Sequence, residues 1–180
     1  MRKIFWQMMT SLDGYMEGPN QDLSWHMVDD DFQGYVNEML ASIGGIILGR
    51  VTYEFFAQYW PTAAEPETRM MNELPKYVFS RTLDRVTWNN SRLVKGEMED
   101  EVIKLKQQPG KDLAMFGSAN LASSFIRLGL IDEYRMFIAP VVLGDGGPTF
   151  KFIDKRFNLK LAGARPLASG VVILSYTPAP

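Results

Sequence analysis

Three short groups of small and basic residues carry most of the chemistry open to this chain: Gly49-Arg50-Val51-Thr52, Ser80-Arg81-Thr82 and Gly117-Ser118-Ala119-Asn120. A helix that starts directly after a buried strand points free backbone N–H groups and the positive end of its dipole out of the sheet, where phosphate groups bind. Two such helix starts and one basic turn are what a pyrophosphate and a further ribose phosphate require. A guanidinium at Arg81 beside the hydroxyls of Ser80 and Thr82 can grip a phosphate through two parallel hydrogen bonds. Taken singly, each group also has an ordinary explanation: a plain strand-to-helix connection at Gly117-Ser118, surface ion pairs for Arg50 and Arg81.

Several other chemistries fall away. The chain has no cysteine, which removes disulfides, thiol catalysis and thiolate-bound zinc. His26 is its one histidine, so a His-rich metal site is impossible and a Ser-His-Asp arrangement would need His26 itself as base. No G-x-x-x-x-G-K-[ST] run exists. The loop Gly144-Asp145-Gly146-Gly147 fails the dinucleotide pattern because Thr149 stands where its last glycine belongs, and a tight turn is expected there. With 180 residues, 46% hydrophobic content and a net charge of −2, one domain spanning 1–180 is expected, with neither nucleic acid nor membrane as partner. The N-terminus shows too short an apolar run for a signal peptide, so a cytoplasmic protein is expected.

The elements that must position these groups follow from periodicity. Lys3 to Thr10 reads as a first, central strand, and Ser11 to Trp25 as a long loop of the kind that covers a binding site. Asp29, Asp30 and Asp31 open a helix whose face is Phe32, Val36, Met39, Leu40 and Ile43. Gly44 to Gly49 is a buried strand leading into a helix expected to pack through Val51, Phe55 and Tyr59. A strand at Lys76 to Ser80, a helix over 97–108 and a strand at Leu113 to Phe116 follow, then a helix whose face is Leu121, Phe125 and Leu128, closed by Gly129. Tyr134 to Leu143, broken at Pro140, and a final pair around Ala168-Ser169-Gly170 complete an α/β sheet, mostly parallel with an antiparallel C-terminal edge.

The segments SLDGY, ILGRVTYE, KYVFSRTL, GSANLASSFIRLGLIDEY and IAPVVLGDGGPTF together resemble the dihydrofolate reductase-like family that includes the C-terminal reductase domain of riboflavin biosynthesis enzymes. The resemblance spans nearly the whole chain and implies a three-layer fold, a stand-alone reductase domain and NADPH as cofactor. By it, Gly49, Arg50 and Thr52 lie at the phosphates, Ser80, Arg81 and Thr82 take the 2′-phosphate, and Gly117, Ser118, Ala119, Asn120 and Leu121 hold the pyrophosphate. The family often has two glycines where this chain has Gly117-Ser118. Met9, Thr10, Met16, Trp25, Ala139 and Pro140 would line the nicotinamide and substrate cleft.

Two acids compete for the proton-donating role. Counting from Trp25 brings Asp30 to the place of the acid that follows the loop tryptophan in dihydrofolate reductases, while Asp13 lies in the SLDG motif shared with riboflavin reductases. A helix-capping acid and an Asp-Gly turn explain the two equally well. The implied activity is hydride transfer to a small pterin- or pyrimidine-like or otherwise conjugated substrate, in a homodimer. The alternative is a dimeric NADP-binding module without turnover.

Overall fold

The computed structural model describes residues 1–179. Its chain runs β1 (Ile4–Ser11), β2 (Tyr15–Glu17), α1 (Asp30–Ser42), β3 (Gly45–Gly49), α2 (Arg50–Tyr59), α3 (Thr68–Glu73), β4 (Lys76–Phe79), β5 (Ser91–Val94), α4 (Met98–Gln107) and β6 (Leu113–Phe116). It closes with α5 (Ala119–Arg127), β7 (Glu133–Ala139), β8 (Gly147–Pro148), β9 (Leu159–Pro166) and β10 (Val172–Pro178). The main sheet has the order β5-β4-β3-β6-β1-β7-β10-β9. The first six strands in that order are mutually parallel, and β10 and β9 run antiparallel at the edge.

Burial on both faces explains the apolar runs. Strands β3 and β6 are buried at every position, because α1, α2 and α3 cover one face and α4 and α5 the other. Trp6, Met115, Val102 and Phe125 belong to one layer of core, and Phe5, Leu40, Ile46 and Met71 to the other. The central placement of β1 and the closing hairpin agree with the sequence reading.

Three expectations change. The Ser11 to Trp25 segment is not all loop: β2 pairs antiparallel with β8, which folds the glycine-rich turn back over the first loop. Gly146 has φ +138, and a Cβ there would lie on the Glu17 backbone, so only glycine fits this approach. Helix α2 packs through Tyr53, with Phe56, Ala57 and Trp60 beside it. The expected face of Val51, Phe55 and Tyr59 points outward, at 57%, 57% and 45% exposure. Both stripes satisfy the helical period, and tertiary placement alone chooses between them. In α5, Leu121 and Phe125 are buried as expected, but Leu128 lies past the last helical turn and is exposed.

Candidate functional site

Parallel strands bring their carboxyl ends to one edge, so Gly49, Ser80 and Gly117 follow β3, β4 and β6 on the same side of the sheet. The order β4-β3-β6 sets the three turns side by side, each about 5 Å from the next. Strands β3 and β6 are hydrogen-bonded neighbours whose following helices leave to opposite faces. A crevice opens where connections diverge in this way, and ligands bind there in open α/β sheets.

The two turns at the crevice interlock. A Cβ on Gly49 would stand 2.6 Å from Ser118 Oγ, and one on Gly117 would stand 2.9 Å from Thr52 Oγ1. Gly117 adopts φ +61, and Ser118 follows it into the left-handed region at φ 49. This conformation costs a non-glycine residue roughly 1 kcal/mol. Ser118 offsets it as the N-cap of α5, where its Oγ accepts the Leu121 N–H at 3.3 Å. From behind, the Trp6 indole N–H donates to the Gly117 carbonyl at 3.2 Å, tying the turn to β1.

Helix α2 has no side-chain cap at Gly49, which leaves its first N–H groups free for a ligand. Ala119 and Leu121 are buried in the core, so this turn offers an anion its backbone and the exposed Asn120. Arg50 reaches along its own helix to Glu54 at 2.9 Å, so α2 contributes backbone donors and Thr52 more directly than the Arg50 guanidinium. Ser80 Oγ accepts the N–H groups of Thr82 at 3.2 Å and Leu83 at 3.0 Å, shaping the turn after β4. That turn presents Arg81, exposed and without an ion pair among the described residues. The donor set suits a nucleotide with a pyrophosphate at α2 and α5 and a further phosphate at Arg81.

The substrate-side residues divide. Met9, Ala139 and Trp25 share one cluster with Phe137, and Pro140, at the end of β7, abuts the turn at Gly170. The Trp25 indole N–H donates to the Asp22 carbonyl at 3.0 Å, and its ring meets His26 edge-on at 4.5 Å. Thr10 stands on the other face of β1 from Met9, because neighbouring strand residues alternate, and Met16 lies on β2. Thr10 Oγ1 lies 2.7 Å from Thr149 Oγ1, and Met16 packs on the α5-side core. The sequence reading set all of these around one cleft; in the structure Met9, Ala139 and Trp25 pack in one cluster and Met16 in another.

The two candidate acids differ in what they already do. Asp13 accepts from the Ser11 hydroxyl at 2.7 Å, from the Leu143 N–H at 3.1 Å and from the Gly144 N–H at 2.8 Å. These bonds, the Ser11 hydroxyl first, hold its pKa down to about 2. Asp13 is ionised at neutral pH and pins the 143–144 loop to the end of β1. Of the acids opening α1, Asp29 caps the Phe32 N–H at 2.8 Å and accepts from Ser169 at 2.8 Å, and Asp31 accepts from Ala168 at 3.1 Å. Asp30 has no hydrogen bond among the described residues and is exposed, which leaves it the free carboxylate of the three. His26 is half-buried, and burial draws its pKa below the usual value. Among the described residues no cluster of His, Asp and Glu could hold a metal ion, and no helix is long and apolar enough to cross a membrane.

The Asp13 clamp and the Thr10–Thr149 contact were not foreseen. Gly146 was the available signal for them, since a glycine-rich turn after a strand implies a close backbone approach.

A sheet parallel but for the reversed strand β10, with paired helix starts at the switch point, defines a dihydrofolate reductase-type fold. The sequence profile of the RibD C-terminal domain matches residues 2–173. The chain belongs to that family. It is 38% identical over 180 residues to the uncharacterized protein YyaP of Bacillus subtilis (strain 168), covering 97% of this chain and 94% of that protein. Among solved structures it is similar to a putative riboflavin biosynthesis protein from Shewanella sp. PV-4, with a TM-score of 0.80, 21% identity and 99% of each chain covered. It also matches a dihydrofolate reductase from Enterococcus faecalis complexed with NADP(H), with a TM-score of 0.68, 13% identity and coverage of 99% of this chain and 97% of that one.

Proposed function

We propose that this chain is an NADPH-dependent reductase that reduces a small pterin- or pyrimidine-like or otherwise conjugated ring. The observation that carries it is the interlocked pair of helix starts at Gly49 and Gly117, set beside the unpaired guanidinium of Arg81. The family and the Enterococcus faecalis enzyme with its bound NADP(H) support the cofactor. NADPH supplies the hydride when bound.

The chain's own residues do the rest. The α2 and α5 N–H groups orient the pyrophosphate, and Arg81 reads the 2′-phosphate with Ser80 and Thr82 shaping its turn. Met9, Ala139 and Trp25 form an apolar wall that excludes water where the rings meet. Asp30 delivers or orders the proton, since Asp13 is committed to its loop. The assembly is a homodimer acting on a small-molecule substrate.

Titration of cofactor fluorescence with NADPH and NADH tests the cofactor reading. Binding of NADPH at micromolar concentration is expected, and no binding of either below about 1 mM overturns it. Cofactor consumption above the rate without enzyme, over a panel of dihydropterin, pyrimidine and quinone substrates, is the expected mark of turnover. Its absence with NADPH bound favours the non-catalytic module.

A further inference from the structure

Charge along the carboxyl edge is divided between two halves. The cofactor half carries Arg50 and Arg81. No lysine or arginine occurs from Ile4 to Gly49, from Met136 to Phe150, or from Pro166 to the end of the chain. Those stretches supply every segment at the carboxyl ends of β1 and β7: the 11–31 loops, the 139–150 turn and the hairpin turn at 168–170. The same segments hold Asp13, Asp22, Asp29, Asp30, Asp31 and Asp145.

The cations flanking these segments are already engaged with acids. Lys151 Nζ stands 3.9 Å from Glu17, and Arg165 stands 3.9 Å from Glu38 while its guanidinium lies 5.8 Å from the Tyr35 ring centroid. His26, the remaining basic group, is half-buried, and burial lowers its pKa from the usual value. Beside the carboxylates these loops expose apolar side chains, Leu12 at 65%, Val28 at 62% and Val142 at 67%, and uncharged polar ones such as Asn20 and Gln21. Leu12 and Val142 are held together by the Leu12 N–H donating to the Val141 carbonyl at 2.8 Å, and the Asp13 clamp fixes the same pair of loops.

Among the described residues, an anion approaching this half finds no guanidinium or ammonium free of an acid to replace its lost water, and a field of like charge opposes it. A flat uncharged ring finds apolar surface, and a cationic one finds carboxylates as well. We infer that the substrate-side half of the cleft selects a planar conjugated ring bearing no phosphate or carboxylate, neutral or cationic. This inference rests on the reductase reading and sets the chain apart from any reductase acting on a phosphoribosyl-bearing uracil.

Equilibrium titration of the protein loaded with oxidised NADP⁺, which has no hydride to give, with matched pairs tests it. One pair is 5-amino-6-(ribosylamino)uracil with and without its 5′-phosphate; the other is dihydropterin and dihydrofolate. The uncharged member of each pair is expected to bind at least about tenfold tighter, with the gap narrowing as salt rises. An anionic member that binds as tightly or tighter overturns the inference, and so does failure of both uncharged rings to bind below about 1 mM. Val142→Lys places a cation on the rim and is expected to shrink the ratio within each pair by about fivefold. An unchanged ratio in that variant shows that rim charge does not govern selection and also overturns it. NADPH binding is measured first and separately, so its failure strikes the reductase reading and not the choice of substrate.

Discussion

Gly49 and Ser118 approach each other so closely across the β3–β6 crevice that a Cβ on Gly49 would stand 2.6 Å from the Ser118 hydroxyl oxygen. Gly49→Ala therefore forces apart the two helix starts to which we assign the pyrophosphate. A loss of stability of about 1–3 kcal/mol is expected from the overpacking, with a raised NADPH dissociation constant. Urea denaturation and fluorescence titration of the same variant measure both effects, and an alanine that leaves them unchanged shows that the turns do not interlock.

Arg81 is exposed and has no ion pair among the described residues, so its removal costs the folded protein little. Arg81→Ala is expected to weaken NADPH binding by roughly 10- to 100-fold, the worth of a lost charge-assisted hydrogen bond, and hardly to affect NADH. Equal weakening of both cofactors would show that Arg81 does not read the 2′-phosphate.

Among the described residues Asp30 has no hydrogen-bond partner, and its neighbours Asp29 and Asp31 hold the helix start without it. Asp30→Asn is expected to lower turnover by about 10²- to 10⁴-fold while leaving melting temperature and NADPH affinity in place. Steady-state rates beside a thermal melt separate this from a folding defect.

Asp13 carries the opposite signature. Its folded pKa, about 2, lies below the ordinary 3.8, so its stabilising contribution is complete above pH 3.8 and is lost as pH falls toward 2. Asp13→Ala is expected to remove that part of the acid sensitivity and to speed hydrogen exchange at the Leu143 and Gly144 amides. The pH profile of turnover stays where it was, because the proton comes from elsewhere.

Lys76 is fully buried at the start of β4, where its Nζ donates to the carbonyls of Met71 at 2.7 Å, Leu74 at 2.8 Å and Asn72 at 3.0 Å and lies 4.2 Å from the Trp88 ring centroid. Burial pulls its pKa from 10.5 to about 8. Between those values the unfolded chain binds more protons than the folded one, so this group makes stability rise with pH across that window. Denaturation of the wild type and of Lys76→Met over pH 8 to 10.5 checks it: the rise attributable to Lys76 should vanish in the variant.

Much of this was legible in the chain because local rules and the global fold agree. The parallel strands announced themselves as apolar runs, GGIILG and LAMF, each ending at a glycine before a helix. The juxtaposition of the three turns was legible for the same reason: a parallel sheet puts every strand end on one edge, so three local motifs become neighbours once the strand order is set. The buried face of α2 was not legible, since Val51-Phe55-Tyr59 and Tyr53-Phe56-Trp60 are both apolar stripes of helical period and sequence does not say which side meets the sheet.

The sequence by itself determined the fold class, the place of the three turns and the absence of thiol and histidine-cluster chemistry, because each follows from residue types and short spacings. Only the tertiary structure decided which of two acids is free, since Asp13 meets Leu143 and Gly144 across 130 residues of chain. It likewise decided which substrate-side residues share a face. Long-range contacts assign partners to groups that look alike along the chain, and a carboxylate's chemistry depends on the partners it has already found.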